Sequence, residues 1–145
     1  MFKTILVPTD GSSLSDKAIN TAIEFAKLAG GKIIGISVAE PYPFSPLAES
    51  SVAAGAGIYE DKMLELANER VQKVADAAKA ANIPCETMVA QSFNPYEEIL
   101  NAAKEFGCDA IFMASHGRKG LNRLFVGSET QKVLGHSTIP VMVLR

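Results

Sequence analysis

Apolar residues recur along this chain in two rhythms. Short aliphatic or β-branched runs at 3–7, 32–38, 85–89, 110–114 and 139–144 suit strands, and the run at 110–114 is the most apolar. Between them, apolar positions three and four apart predict helices over 14–29, 58–81, 95–106 and 128–135. The first helix turns Leu14, Ala18, Ile19, Ala22, Ile23 and Ala26 to one face and stops at Gly30-Gly31. The second lines up Met63, Ala67, Val71, Val74, Ala75 and Ala78, carries a Glu69–Lys73 surface pair, and ends before Asn82 and Pro84. Asn94 is placed to cap the third, with Pro95 first and Glu97 and Glu98 in the opening turn. Its inward face is Ile99, Leu100, Ala103 and Phe106, and Gly107 ends it; Val133 and Leu134 point inward from the fourth. Strands that alternate with helices imply an α/β fold: an open parallel five-stranded sheet with helices on both faces.

Two stretches break the rhythm. Residues 39–57 hold Pro41, Pro43 and Pro46, then small residues with Gly55 and Gly57; a long loop is expected, with a short helical piece near 47–54. Residues 111–130 run from a strand into Ser115-His116-Gly117-Arg118-Lys119-Gly120 and close on Gly127-Ser128-Glu129-Thr130. A strand end, a glycine-bearing loop and a helix N-terminus are the parts that hold a phosphate chain. Gly117 and Gly120 open backbone conformations closed to other residues. Arg118, Lys119 and Arg123 add positive charge, and Ser128 with Gln131 fits a capping box.

For a strand order of 3-2-1-4-5, strands one and four flank the point where the order reverses, and ligands bind beyond their carboxyl ends. Pro8-Thr9-Asp10 leaves strand one there, Ala114 to Gly117 leaves strand four, and Val38 ends strand two as an apolar wall. No GxxxxGK[ST] motif is present and no GxGxxG follows strand one, which disfavours a P-loop NTPase and the usual dinucleotide site.

Composition narrows the function classes. The chain has 145 residues, 48% hydrophobic, enough for one domain spanning 1–145 with its own core. A net charge of −2 argues against bulk nucleic-acid binding. No apolar run approaches a membrane span, and Met1-Phe2-Lys3 leads straight into a strand-like run without a leader pattern, so a cytoplasmic location is expected. Cys85 and Cys108 lack CxxC spacing and read as reduced core or strand-edge residues; no protein metal cage is visible.

The opening Ile5-Leu6-Val7-Pro8-Thr9-Asp10-Gly11-Ser12, the frame Ala114-Ser115-His116-Gly117 with Gly127-Ser128 after nine residues, and the ending Pro140-Val141-Met142-Val143 resemble the universal stress protein family over essentially the whole chain. The frame is similar to the G-x2-G-x9-G-[S/T] of that family's nucleotide-binding members. The resemblance implies a Rossmann-like, adenine-nucleotide-binding fold that usually forms homodimers. It implies that Pro8 and Thr9 shape the adenine side and that Val38 and Met113 contact the base. Asp10 would lie near the ribose or a phosphate-bound Mg2+. Gly117 and Gly127 would pass close to the phosphates, where Ser128 and Thr130 donate hydroxyls or N–H groups. His116, Arg118 and Glu129 complete the expected nucleotide-binding set. Ala114 departs from the pattern: it replaces the first motif glycine, and its methyl crowds the ligand if the backbone there needs positive φ.

Bland readings stand beside these. Asp10 can cap the first helix, His116 can orient the loop without acting as a base, and Arg118 and Lys119 can be solvated. His136 reads as surface, Met88, Met113 and Met142 as core, and Leu121, Leu124, Phe125 and Val126 as loop anchors. The leading function is an ATP-binding stress or regulatory protein, with AMP or ADP as other occupants and Mg2+ arriving with the nucleotide. No catalytic base or nucleophile pair is evident, so any hydrolysis is expected to be slow. The alternative is a scaffold of the same fold with an empty pocket. The apolar edge run Val141 to Leu144 is the expected homodimer surface.

Overall fold

The computed structural model describes residues 1–43, 52–117 and 126–145, with the backbone alone for 52–54. Its elements run β1 (Thr4–Pro8), α1 (Ser13–Ala29), β2 (Lys32–Ala39), α2 (Val52–Ala80), β3 (Cys85–Gln91), α3 (Pro95–Glu105), β4 (Ala110–Ala114), α4 (Ser128–His136) and β5 (Val141–Leu144). The five strands form one parallel sheet in the order β3-β2-β1-β4-β5. Both the order and the helix-covered faces match the pattern expected from the sequence.

Side-chain alternation divides the core in two. Leu6, Ile34, Ile36, Ile111 and Met113 point to the face covered by α3 and α4, where they meet Ile99, Ala102, Ala103 and Val133. Ile5, Val7, Ile33, Ala110 and Phe112 point to the other face, under α1 and α2, among Ile19, Ala22, Ala26 and Val74. Phe2, Phe25 and Phe112 close this second core with edge-on rings 5.1 to 5.8 Å apart. The register Ile5↔Ile33 and Ile5↔Ala110 keeps each layer continuous across three strands.

Several local expectations are corrected. Helix α2 begins at Val52, so Gly55 and Gly57 lie in its first turns and not in a loop; of the expected piece near 47–54, the residues before Val52 lie outside the described set. Lys73 reaches Asp16 of α1 at 2.8 Å, a cross-helix ion pair in place of the surface pair with Glu69. Leu134 is 45% exposed, because the short α4 buries only Thr130 and Val133. Met142 is 37% exposed on the edge strand and is not core. Strand β5 starts only at Val141; Ser137 and Ile139 before it form a turn joined by the Ser137 hydroxyl.

Candidate functional site

Helix α1 is launched by a turn whose polar side chains are nearly all committed to each other. Ser12 is its N-cap and accepts from Ser15 N–H at 3.2 Å. Asp10 Oδ1 accepts from Ser12 N–H at 3.0 Å, closing an Asx turn. Thr9 N–H donates to Ile36 O at 2.9 Å, and the buried Thr9 and Ser15 hydroxyls are 3.1 Å apart. Gly11 carries a φ of +79°, which a side chain would make costly.

The end of β4 meets this turn. Gly117 has no positive φ, and an added Cβ there would stand 2.6 Å from Asp10 Oδ2, the tip of a side chain that would have to shift. The two polar stretches that flank the reversal of strand order are therefore in contact. His116 Nδ1 lies 2.6 Å from Ser115 Oγ, a bond that orients the ring. Ala114 sits in regular strand, so its methyl brings no φ strain at the first motif position.

Helix α4 is stapled onto that strand end. Gly127 N–H donates to Ser115 O at 2.7 Å, and the buried Thr130 hydroxyl donates to Ala114 O at 2.9 Å. Gly127 is the N-cap, and its carbonyl accepts the first helical bond, from Gln131 N–H at 3.0 Å. The capping box expected at Ser128 is thus absent: Ser128 is the first helical residue, and the Gln131 side chain donates to Val126 O. The N–H groups of Ser128, Glu129 and Thr130 fall outside the helix's own ladder and carry its positive dipole end.

Helix α3 begins at the same rim. Asn94 makes no side-chain cap; Glu129 from α4 accepts Tyr96 N–H at 2.9 Å instead and is held by Lys132 at 3.2 Å. The cap was missed because its acceptor belongs to another helix.

These elements enclose a cleft of about 660 Å³ above the carboxyl ends of the strands. Pro8, Thr9, Asp10, Val38, Met113 and Ala114 line it, as do His116, Gly117, Gly127, Ser128, Glu129 and Thr130. All the expected site residues therefore share one cavity, except Arg118, which with Lys119, Gly120, Leu121, Arg123, Leu124 and Phe125 lies outside the described residues. The floor on the α3 side is apolar, with Ile36, Val38, Ile99 and Met113. The α4 side is polar and rich in main-chain donors.

Sequence reasoning missed two further walls. Tyr59, Met63 and Arg70 of α2 line the cleft, as do Ser92, Phe93 and Pro95 after β3. The signal for the first was partial: Met63 belongs to the α2 face that reads as core, and Tyr59 and Arg70 lie along its margin. Tyr42 after β2 fastens this wall, with its ring 5.4 Å from Tyr59 and its N–H on Glu60. Among the described residues no cluster of three or more His, Cys, Asp or Glu could hold a metal, and no helix is long and apolar enough to cross a membrane.

Comparison with known proteins agrees with this architecture. The universal stress protein family model (Usp) matches residues 1–145. Universal stress protein MJ0577 of Methanocaldococcus jannaschii is 30% identical over 100% of this chain and 96% of its own. Its solved structure, the subject of a structure-based assignment of biochemical function, superposes with a TM-score of 0.83 at 27% identity, covering 99% of this chain and 96% of that one. Two more distant folds are a universal stress protein in complex with cAMP and one from Archaeoglobus fulgidus in complex with dAMP. The first has a TM-score of 0.65 and 23% identity, covering 97% of this chain and 94% of its own. The second has a TM-score of 0.67 and 19% identity, covering 98% and 97%.

Proposed function

This chain belongs to the universal stress protein family, and on that premise we propose that it binds an adenine nucleotide, ATP with Mg2+, in the cleft above β1 and β4. The observation that carries the reading is the convergence of main-chain donors at one end of the cleft and apolar side chains at the other. Gly117, Gly127 and the first N–H groups of α4, which lie outside the helix's own ladder, suit a phosphate chain. Val38, Met113, Ile36 and Ile99 suit a base. The cAMP and dAMP complexes of related folds support the adenine class. Asp10 supplies a carboxylate at the phosphate end, which fits an ion that brings its other ligands from phosphates and water.

Calorimetry with ATP and Mg2+ tests the reading. Gly127→Val is the control, because a Cβ there would stand 3.2 Å from Ser115 O and 3.3 Å from His116 Cα, so the start of α4 or the strand end must give way and the branched side chain crowds the phosphate site. Measurable heat for the wild type and none for the variant is expected. Equal heats would remove the phosphate site, and mass spectrometry of the denatured protein without any co-purifying nucleotide would favour the scaffold alternative.

Two further elements belong to the proposal. The protein works as a regulatory binder in the cytoplasm, with hydrolysis no faster than positioning and Mg2+ allow; its two cysteines are free, which suits a reducing compartment. Nucleotide occupancy biases a homodimer that pairs through β5. Ile111 N–H and Ser115 N–H donate to Pro140 O and Leu144 O, so in a parallel ladder the N–H groups of Val141 and Val143 face the open edge. Val143→Pro should then halve the mass in solution while leaving the fold intact; an unchanged dimer mass would place the interface elsewhere.

A further inference from the structure

The described walls of the cleft carry Asp10, Glu40 and Glu129 against a single Lys or Arg among the described residues, Arg70. A phosphate chain seated at Gly117 and Gly127 is held more strongly when a cationic side chain adds charge-assisted bonds to those of the helix N–H groups and Mg2+.

Arg70 is held where it can supply one. Its helical neighbours Ala67, Val71 and Val74 are buried, and Val74 lies so close to β2 that a Cβ at Gly35 would meet it at 3.1 Å. Lys73 ties the same turn to Asp16. From that fixed face the Arg70 side chain runs along Gly11, where an added Cβ would stand 3.0 Å from Nε and 3.3 Å from Cγ. Gly11 follows Asp10, and Asp10 Oδ2 adjoins Gly117. The guanidinium base therefore stands at the phosphate end. It enters from α2, on the face of the sheet opposite α4.

We infer that Arg70 binds the terminal phosphates of the nucleotide and so sets a preference for ATP over AMP and adenosine. This rests on the adenine-nucleotide reading of the cleft. The helix N-terminus grips the chain from one side and the planar guanidinium from the other, a geometry that rewards added phosphates and is indifferent to the base.

Titration calorimetry of wild type, Arg70→Ala and Arg70→Lys with ATP, AMP and adenosine in Mg2+, and with sodium tripolyphosphate, tests it. Arg70→Ala should weaken ATP and tripolyphosphate by about ten- to a hundredfold and adenosine by less than about threefold. Arg70→Lys should recover part of the ATP loss. Equal weakening of ATP and adenosine, or no change in either, overturns the role of Arg70 and leaves the nucleotide reading standing. A wild type that takes up neither nucleotide nor adenosine overturns that reading and the inference together. If Arg70→Ala fails to fold, Arg70→Gln carries the same comparison.

Discussion

The Asp10 carboxylate and the Gly117 backbone occupy adjoining space, such that a methyl on Gly117 would sit 2.6 Å from Asp10 Oδ2. One residue follows β1 and the other follows β4, so the contact joins two loops far apart in sequence. Gly117→Ala must shift that oxygen, the tip of the Asp10 side chain, and so strains the bond that Oδ1 accepts from Ser12 N–H. A cost of about 1 kcal/mol is expected, close to that of a lost hydrogen bond. In an Asp10→Ala background most of that cost should vanish, because nothing remains to be displaced. Urea denaturation of the four proteins of this cycle measures it; equal costs in both backgrounds would contradict the contact.

That contact marks how far the sequence could lead. Strand order follows from alternating strands and helices, and the order alone brings Asp10 and Gly117 to one crevice. The reach of α2 into the crevice was hidden, because Met63 and Arg70 sit beside a buried stripe and a helical period cannot tell a core wall from a ligand wall. The caps of α3 and α4 were hidden for a different reason. Their donors and acceptors come from other elements: Glu129 for Tyr96, and Ser115 O and Ala114 O for Gly127 and Thr130. Local capping rules see only neighbours in the chain. The start of α2 is hidden because Gly55 and Gly57 resemble loop residues until a helix is continued through them.

Thr130 illustrates the difference between a ligand-facing and a structural hydroxyl. Its Oγ1 donates to Ala114 O from a buried position, although its main-chain N–H belongs to the open end of α4. Thr130→Val keeps the shape and deletes the donor. Stability should fall by about 1–3 kcal/mol, the cost of leaving a buried carbonyl short of its partner, with ATP affinity changed by less than about threefold. Thermal melts and calorimetry on one preparation decide this. Unchanged stability with lost binding would put the hydroxyl on the nucleotide.

Glu129 ties the two helices at the rim, through Tyr96 N–H and Lys132. Glu129→Ala should release the first turn of α3 at a cost of about 0.5–2 kcal/mol, the usual range for a lost N-terminal cap. The specific signature is faster hydrogen exchange at the Tyr96 amide, read residue by residue by NMR. Glu129→Gln keeps an acceptor and should preserve part of the protection. An unchanged Tyr96 exchange rate in Glu129→Ala would show that the bond contributes nothing.

Alkaline pH should reveal Cys108. Burial, helped by the neighbouring Asp109 charge, pushes its thiol from an ordinary 9.0 up to about 11. Below pH 9 both folded and unfolded chains keep the proton, and the stabilising effect of burial is complete. Between about 9 and about 11 the unfolded chain releases the proton while the folded chain retains it, so stability must decline as pH rises. The diagnostic is a difference between two proteins. Wild type should lose stability more steeply across this window than Cys108→Ala, whose only constant penalty is the small cavity left by the sulfur. Urea melts at several pH values from neutral to 11 give both slopes. Parallel curves for the two proteins would mean that the buried thiol does not couple to folding.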